Sequence, residues 1–182
     1  VGNRGCTFLP SIMDGGRAKS NFVKQSVFAI DFDNDAYQLD EQGQKVKDSN
    51  GRFIKVRATG ADYISIETVK NHDFIKRNAS FIYKTFSHTD EWERFRVVFM
   101  LNRPLETQQE VYQLGKHLSS VFPMIDASTL EPARLFYGGI EAIEVDFSNA
   151  VNVDDILIDE PETEPQAKPM TIADNFDDDV KQ

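Results

Sequence analysis

The most constraining feature of the sequence is an apolar run that ends in two carboxylates. Residues 26–33 have the sequence Ser-Val-Phe-Ala-Ile-Asp-Phe-Asp, and the branched and aromatic residues among them favour a β-strand. Because side chains alternate along a strand, Asp31 and Asp33 would share one face while Phe32 faces the core. Two carboxylates on one face repel each other unless a positive charge lies between them, and their oxygen atoms suit Mg²⁺ or Mn²⁺. In the alternative interpretation, the strand simply ends here at a solvated loop.

The composition is that of one folded domain with an additional tail. The chain has 182 residues, of which 40% are hydrophobic and 14 are Phe, and this is enough apolar material for a core. No apolar run approaches the roughly 20 residues of a membrane-spanning helix, so we expect no membrane association. The single Cys6 excludes an internal disulfide and a Cys-rich zinc site. A reducing, cytoplasmic location is therefore expected.

Acidic charge is concentrated near the C-terminal end of the chain. The formal net charge is −10, from 30 Asp and Glu against 20 Lys and Arg. Residues 154–182 contain ten of the acids and two of the lysines, so residues 1–153 carry 20 acids and 18 bases. We therefore predict a nearly neutral folded domain at 1–153, followed at 154–182 by an acidic tail rich in Pro, Glu and Asp. The tail is interpreted as a linker to a following domain.

The remaining pattern alternates strands and helices. Asn50-Gly51 predicts a hairpin turn within a polar surface insertion at residues 35–60. Apolar residues at helical spacing, with Thr107 and Glu110 as a capping box, predict an amphipathic helix over residues 105–122. A helix is predicted at 62–77, with Asp62 as its cap. Strands at 79–86 and 94–101 are predicted to pair antiparallel, and Pro104 ends the second of them. The last predicted elements are a strand at 134–139 and a strand or short helix within 140–157.

Charged side chains recur at and near the ends of the predicted strands. The acids are Asp31, Asp33 and Asp126, and the bases are Lys84, Arg94, Arg96 and Arg134. Such a surface suits a metal-bound polyphosphate, with acids on the cations and guanidinium groups on the phosphate oxygens. In a more ordinary interpretation, Arg96 is exposed and paired with Glu91 or Glu93, and His88 is a surface histidine. The chain has no Gly-rich phosphate loop of the P-loop type and no Gly-x-Ser-x-Gly elbow, which excludes P-loop ATPases and hydrolases of that type.

Three motifs in this order resemble those of the archaeo-eukaryotic primase superfamily, the primase–polymerase group, in the form found in phage, plasmid and genomic-island replication proteins. The first is Phe-Ala-Ile-Asp-Phe-Asp at 28–33. The second is Phe-Ser-His-Thr at 86–89 with Arg-Phe-Arg-Val-Val-Phe at 94–99, and the third is Ile-Asp at 125–126 with Arg-Leu-Phe-Tyr at 134–137. The chain departs from the pattern at Arg96, where many members have a histidine. The resemblance implies an α+β fold with a mostly antiparallel central sheet, an RRM-like catalytic half and flanking helices.

The resemblance also implies a function. Residues 1–153 would form a DNA-templated nucleotidyltransferase, a DNA primase or primase–polymerase that serves replication of a phage, plasmid or other mobile element. Its expected partners are a single-stranded DNA template, nucleoside or deoxynucleoside triphosphates, and a fused or associated helicase. Its site residues would be Asp31, Asp33 and Asp126 as catalytic ligands of two Mg²⁺ or Mn²⁺ ions, and Ser87, His88, Arg96 and Arg134 as contacts to the nucleotide. Two alternatives stay open: a non-catalytic replication-initiator domain that binds DNA, and a metal-dependent nuclease. The acidic tail would then link to the helicase, or mimic DNA and cover the site.

Overall fold

The computed structural model describes residues 6–157, and a five-stranded antiparallel sheet forms the centre of this part of the chain. The strands are β1 (Thr7–Phe8), β2 (Ser11–Met13), β3 (Phe22–Phe32), β4 (Asp35–Tyr37), β5 (Lys55–Arg57), β6 (Phe81–Thr85), β7 (Phe95–Leu105), β8 (Phe136–Tyr137) and β9 (Gly139–Glu144). The α-helices are α1 (Ile66–Asn71), α2 (Asp73–Asn78), α3 (Gln108–Val121) and α4 (Val153–Leu157). The central sheet has the order β2-β3-β7-β6-β9, and each neighbouring pair is antiparallel. The predicted α+β class is therefore confirmed.

The helices pack on one face of the sheet and enclose the main core. Helix α3 contributes Val111, Leu114 and Leu118, which are all buried, as their helical spacing predicts. From the sheet, Phe32 on β3 stacks on Phe95 of β7, with 4.8 Å between the ring centroids. Because Phe32 faces the helices, Asp31 faces the opposite side. Within residues 6–157, no helix has the length and apolar character needed to cross a bilayer.

A small two-stranded ribbon covers part of the opposite face of the sheet. Strand β1 pairs antiparallel with β8, and Phe8 stacks on Phe136 with 5.4 Å between ring centroids. Phe136 packs with Ala29 of β3 and Val98 of β7 in a second, smaller core. The predicted strand at 134–139 is thus two elements, since β8 joins the ribbon and the central sheet resumes only at Gly139.

The succession of elements matches the expected RRM-like half over most of its length. Apart from strands β4 and β5, which are inserted after β3, the elements follow the order β-α-β-β-α: β3, then α1 and α2, then β6 and β7, then α3. Strand β3 lies beside β7, and β7 lies beside β6. The edge beside β3 is taken by β2 from the N-terminal region. Strand β9 lies at the other edge, beside β6.

The predicted helix over residues 62–77 is wrong in two respects. It is divided into α1 and α2 at His72, whose extended backbone interrupts the helix and whose Nδ1 accepts the backbone N–H of Phe74 at 3.2 Å. It also starts later than predicted, because Ser65 caps α1 by accepting the N–H of Thr68 at 3.1 Å. Asp62 instead belongs to the preceding 3₁₀ helix, Gly60–Asp62.

The predicted end of one strand also differs from the structure. Strand β7 continues through Pro104 to Leu105, at a place where its pairing with β3 shifts register, so the missing proline N–H is tolerated there. Helix α4 spans Val153–Leu157, and the predicted division of the chain after residue 153 stays a prediction. Val153 is buried, and Asp154 accepts a hydrogen bond from Nε of Arg103 at 2.8 Å. The predicted tail beyond Leu157 lies outside the described residues.

The predicted surface insertion is an exposed arm, residues 35–57, built around two turns of the same construction. In the first, Oδ1 of Asp40 accepts the backbone N–H groups two and four residues ahead, at 3.0 and 2.8 Å, and Gly43 has a φ of 76°. In the second, Asp48 does the same at 2.8 and 2.9 Å, and Gly51 has a φ of 77°. Only glycine adopts this left-handed conformation without cost. The hairpin turn predicted from Asn50-Gly51 is confirmed.

The capping box at the start of α3 is confirmed and supports a first prediction. Oγ1 of Thr107 accepts the N–H of Glu110 at 3.1 Å, and Oε2 of Glu110 accepts the N–H of Thr107 at 3.2 Å. Thr107→Ala is expected to lower the free energy of unfolding by about 1 kcal/mol, because a helix N–H loses its partner. Urea denaturation measures this change, with the exposed helix residue Gln109→Ala as control. Equal stability of the two variants would contradict the prediction.

Candidate active site

Strand register places a buried ion pair within the sheet. Asp31 on β3 lies directly opposite Arg96 on β7, and Arg96 lies opposite Tyr83 on β6. Opposite residues share a face, so the three side chains meet on the side away from the main core. Arg96 donates from Nε and Nη2 to Oδ2 of Asp31, at 2.9 and 2.8 Å. Both residues are buried, with 2% of Asp31 and 8% of Arg96 exposed.

The remaining guanidinium nitrogen of Arg96 is also occupied. Nη1 donates to Oη of Tyr83 at 3.0 Å and to the carbonyl oxygen of Tyr137 at 2.8 Å. The Tyr83 hydroxyl donates to the same carbonyl at 2.9 Å. The interpretation of Arg96 as an exposed residue paired with Glu91 or Glu93 is therefore wrong. Its predicted contact with a nucleotide stays a prediction, and in the structure its partner is Asp31.

An open cleft of about 350 Å³ lies beyond the end of β3. Its walls come from the end of β3, from the arm and from the segment after α3, and they include Asp33, Asp35, Lys55 and Asp126. Lys55 pairs with Asp35 across the arm, with 2.7 Å between Nζ and Oδ2. Asp33 and Asp126, two of the three predicted acids, therefore line one cleft.

Asp126 reaches this cleft from a turn and not, as predicted, from the end of a strand. It caps the 3₁₀ helix Ala127–Leu130, accepting the N–H of Ser128 at 2.9 Å on Oδ1 and the Ser128 hydroxyl at 2.6 Å on Oδ2. Its own N–H donates to the carbonyl oxygen of Asp31 at 2.9 Å, which joins the turn to β3. Nη2 of Arg134 lies 4.0 Å from Oδ2 of Asp126. Arg134 thus lies beside Asp126, but its side chain lines a separate groove with Lys19, and its contact with a nucleotide stays a prediction.

The three acids influence one another electrostatically. Burial raises the pKa of Asp31 to about 6, the Arg96 guanidinium opposes this rise, and the charges of Asp33 and Asp126 add to it. Burial also raises the pKa of Asp33, and the charge of Asp35 acts in the same direction. Negative charge is therefore concentrated at this end of the sheet, where a bound cation would stabilise the ionised carboxylates.

The donor chemistry of these acids fits a divalent cation. Carboxylate oxygens are ligands that Mg²⁺ and Mn²⁺ prefer. Oδ1 of Asp31 is a buried oxygen with no hydrogen-bond partner among the described residues. In the part of the chain that the structure describes, no three His, Cys, Asp or Glu side chains are grouped closely enough to hold an ion as they stand. The ligand types that the resemblance implies are present, and cation binding stays a prediction.

Ser87 and His88 lie in the turn between β6 and β7, apart from the acidic cleft. Nδ1 of His88 accepts the backbone N–H of Arg94 at 3.2 Å, and Oγ of Ser87 lies 3.3 Å from Oγ1 of Thr85. The His88 side chain lines a different groove, together with Lys84. The structure therefore does not bring these two residues together with the acids, and their contact with a nucleotide stays a prediction.

Three basic residues lie where the sequence alone did not place them. Arg94, which the sequence assigned no role of its own, lies close enough to Asp33 for its charge to oppose the rise in the pKa of Asp33. Its guanidinium stacks on Trp92 at 4.0 Å from the ring centroid. The sequence signal for this position was that Arg94 lies two residues before Arg96, a spacing that puts both side chains on the same face of a strand. Lys55 lines the cleft because the strands of the arm pair it with Tyr37, and the sequence does not show this pairing. Lys84 lies away from the cleft and pairs with Glu141 at 2.7 Å.

Comparison with known proteins identifies one family. The family model described as the VapE N-terminal domain matches residues 42–163, about two thirds of the 182-residue chain. The match includes Ser87, His88, Arg96, Asp126 and Arg134, and it begins after Asp31 and Asp33. No curated protein and no solved structure matches the chain.

Proposed function

The chain belongs to the VapE N-terminal domain family, which is found in replication-associated proteins of phages and plasmids, and from this we propose that it is a DNA-templated nucleotidyltransferase of the primase type. The observation that carries the proposal is that Asp33 and Asp126 line one cleft, while Asp31 lies near enough for both of their charges to raise its pKa. Divalent cations held by these carboxylates would bind the triphosphate of the incoming nucleotide and activate the attacking 3′-hydroxyl. The chemistry would serve replication of a mobile element.

Within this proposal, the arginines have different roles. Arg96 is a positioning residue, because its guanidinium holds one oxygen of Asp31 and is buried in doing so. Arg94 and Arg134 lie beside Asp33 and Asp126, and each has a buried Nε without a hydrogen-bond partner among the described residues. Their N–H groups would donate to phosphate oxygens, for which guanidinium is well suited.

The proposal is tested by removing charge from the two acids that line the cleft. Asp33→Asn combined with Asp126→Asn is expected to lower nucleotide incorporation by about a hundredfold or more, because a neutral amide oxygen binds Mg²⁺ poorly and transition-state charge loses several kcal/mol of stabilisation. The assay measures extension and de novo synthesis on a single-stranded DNA template with Mg²⁺ or Mn²⁺. Asp73→Asn, an exposed acid on α2, is the control and should retain activity.

Three results would decide against the proposal. Undiminished incorporation by the double variant would remove the acids from the chemistry. An intact wild-type domain that incorporates nothing would also contradict it. Degradation of labelled DNA with Mg²⁺ in the absence of nucleotides, by the wild type and not by the double variant, would indicate a nuclease.

A second candidate is a replication-initiator domain that binds DNA without catalysis. It is favoured by the geometry of Asp31, one oxygen of which is already neutralised by Arg96. It is also favoured by the position of His88, which lines a groove other than the acidic cleft. Strong DNA binding by a wild-type domain that shows no incorporation would select this candidate.

A further inference from the structure

The exposed arm, residues 35–57, presents one face with a distinct chemistry. In its antiparallel pairs, Tyr37 lies opposite Lys55, and Asp35 lies opposite Arg57. Isolated bridges pair Leu39 with Lys45 and Lys47 with Phe53. Because opposite residues share a face, aromatic and basic side chains alternate over one surface, which we call the arm face.

Two aromatic rings on the arm face are in contact with lysines and remain open to solvent. Nζ of Lys45 lies 3.7 Å from the centroid of Tyr37, and Nζ of Lys47 lies 4.9 Å from that of Phe53. The two rings meet edge to face at 5.6 Å. Tyr37 is 43% exposed and Phe53 is 47% exposed. Rings left this exposed contribute little to folding and are available to a flat, apolar ligand surface.

The charges of the arm face favour an anionic ligand. Its paired positions hold Lys45, Lys47, Lys55 and Arg57, with Asp35 as the one acid among them. Asp35 is already paired with Lys55. Among the described residues, neither Lys45 nor Lys47 has an ion-pair partner. In the two turns, Asp40 and Asp48 accept backbone N–H groups, and Glu41 lies in the first turn, outside the paired positions.

The arm face is continuous with the acidic cleft. Tyr37 and Lys55 line that cleft together with Asp33 and Asp126. Lys45 contacts Tyr37, and it lies 5.7 Å from the centroid of Phe53. A polymer that leaves the cleft beside Tyr37 would therefore run onto Phe53 and the two lysines.

We infer that the arm face binds single-stranded nucleic acid on its way into the cleft. Bases would stack on Tyr37 and Phe53, and Lys45 and Lys47 would neutralise phosphates, the combination that sequence-tolerant single-strand sites use. A duplex keeps its base faces stacked inside, so it cannot use the rings in this way. The identity of the strand as a replication template rests on the proposed function, whereas its binding to the arm does not.

Binding of a labelled single-stranded DNA of mixed sequence, followed by fluorescence anisotropy, tests the inference. Phe53→Leu keeps an apolar side chain on the arm but removes the ring, and it is expected to weaken binding about tenfold. Phe147→Leu, a 62% exposed ring outside the arm, is the matched control and should bind as the wild type does. An abasic strand of equal length has phosphates but no bases, so Phe53→Leu should bind it as tightly as the wild type does.

A second variant tests the phosphate contacts and keeps both rings. Lys45→Gln with Lys47→Gln is expected to weaken binding and to reduce the slope of log affinity against log salt by about 1.4, or 0.7 for each lost phosphate contact. The control is Lys76→Gln on α2, an exposed lysine on a different element. A labelled RNA strand is measured alongside. The same losses on RNA would identify the unpaired strand as the ligand, and losses confined to DNA would identify DNA.

Three outcomes would overturn the inference: unchanged binding by both arm variants, equal binding of a duplex of the same length, or no strand binding by the wild type. The test is separable from that of the proposed function. A domain that binds strands through the arm and incorporates no nucleotide contradicts the proposed function alone. A domain that incorporates nucleotides, with strand binding unaffected by the arm variants, contradicts the inference alone.

Discussion

Asp31→Ala is expected to lower the free energy of unfolding by about 3–5 kcal/mol. The substitution leaves the Arg96 guanidinium buried, with 8% of the residue exposed, and without the carboxylate that accepts two of its hydrogen bonds. Arginine cannot give up its charge in a protein, so the unpaired charge stays in a poorly solvated place. Urea denaturation followed by circular dichroism measures the loss. A loss below about 1 kcal/mol would contradict the buried ion pair.

Arg96→Met is the informative control, because the carboxyl group of Asp31 can escape by taking up a proton. Burial already raises the pKa of Asp31 to about 6, and removal of Arg96 removes the main influence that lowers it. A carboxyl group whose pKa is higher in the folded state than in the unfolded state stabilises the fold at low pH, and this stabilisation is lost as the pH rises through the folded pKa. The loss caused by Arg96→Met should therefore be smaller at pH 5 than at pH 8.

The double variant Asp31→Leu with Arg96→Met is expected to be more stable than Asp31→Ala alone. Replacing both members of a buried ion pair by apolar side chains removes the unpaired charge. If Asp31→Ala lost activity, the loss could come either from unfolding or from a missing catalytic group. For this reason Asp33 and Asp126 are the better residues for testing catalysis.

Gly139→Ala is expected to lower the free energy of unfolding by about 3 kcal/mol, the upper end of the usual range for overpacking. A Cβ at this position would overlap the carbonyl oxygen of Lys84 and the ring of Tyr83. The carbonyl is part of the backbone of β6 and cannot move aside without disturbing its pairing with β9. Thermal and urea unfolding measure the change.

The consequences of Gly139→Ala should extend to the ion pair. The Tyr83 hydroxyl accepts a hydrogen bond from Arg96, so displacement of its ring loosens the support of Asp31. The control is Gly16→Ala, because a Cβ there has no neighbour within 4 Å and Gly16 does not have a positive φ. Equal stability of the two alanine variants would contradict the close approach of β9 to β6.

The sequence predicted most of the fold because its main elements are strongly patterned. Strands β3, β6 and β7 are rich in branched and aromatic residues, and α3 carries both a helical apolar stripe and the Thr107–Glu110 capping box. The misplaced elements lack such signals. His72 divides a helix through a local hydrogen bond to a backbone N–H, which apolar spacing does not reveal.

The candidate site was predictable in its residue types and less so in its contacts. The spacing of Asp31 and Asp33 placed them on one face, and the order of motifs pointed to Asp126 and Arg134. The sequence suggested either an exposed Arg96 or a nucleotide contact, and the structure shows it buried against Asp31. That difference depends on β3–β7 register, which only the paired strands define.

The sequence by itself determined the strand that ends in carboxylates, the amphipathic helix and the resemblance to primase motifs, because these depend on alternation, spacing and order along the chain. The tertiary structure decided which charges meet. It brought Asp126 to Asp31 through a backbone hydrogen bond, paired Arg96 with Asp31 across two strands, and set the arm beside the cleft. The first two of these contacts join residues that are 95 and 65 positions apart, and no local pattern encodes such distances.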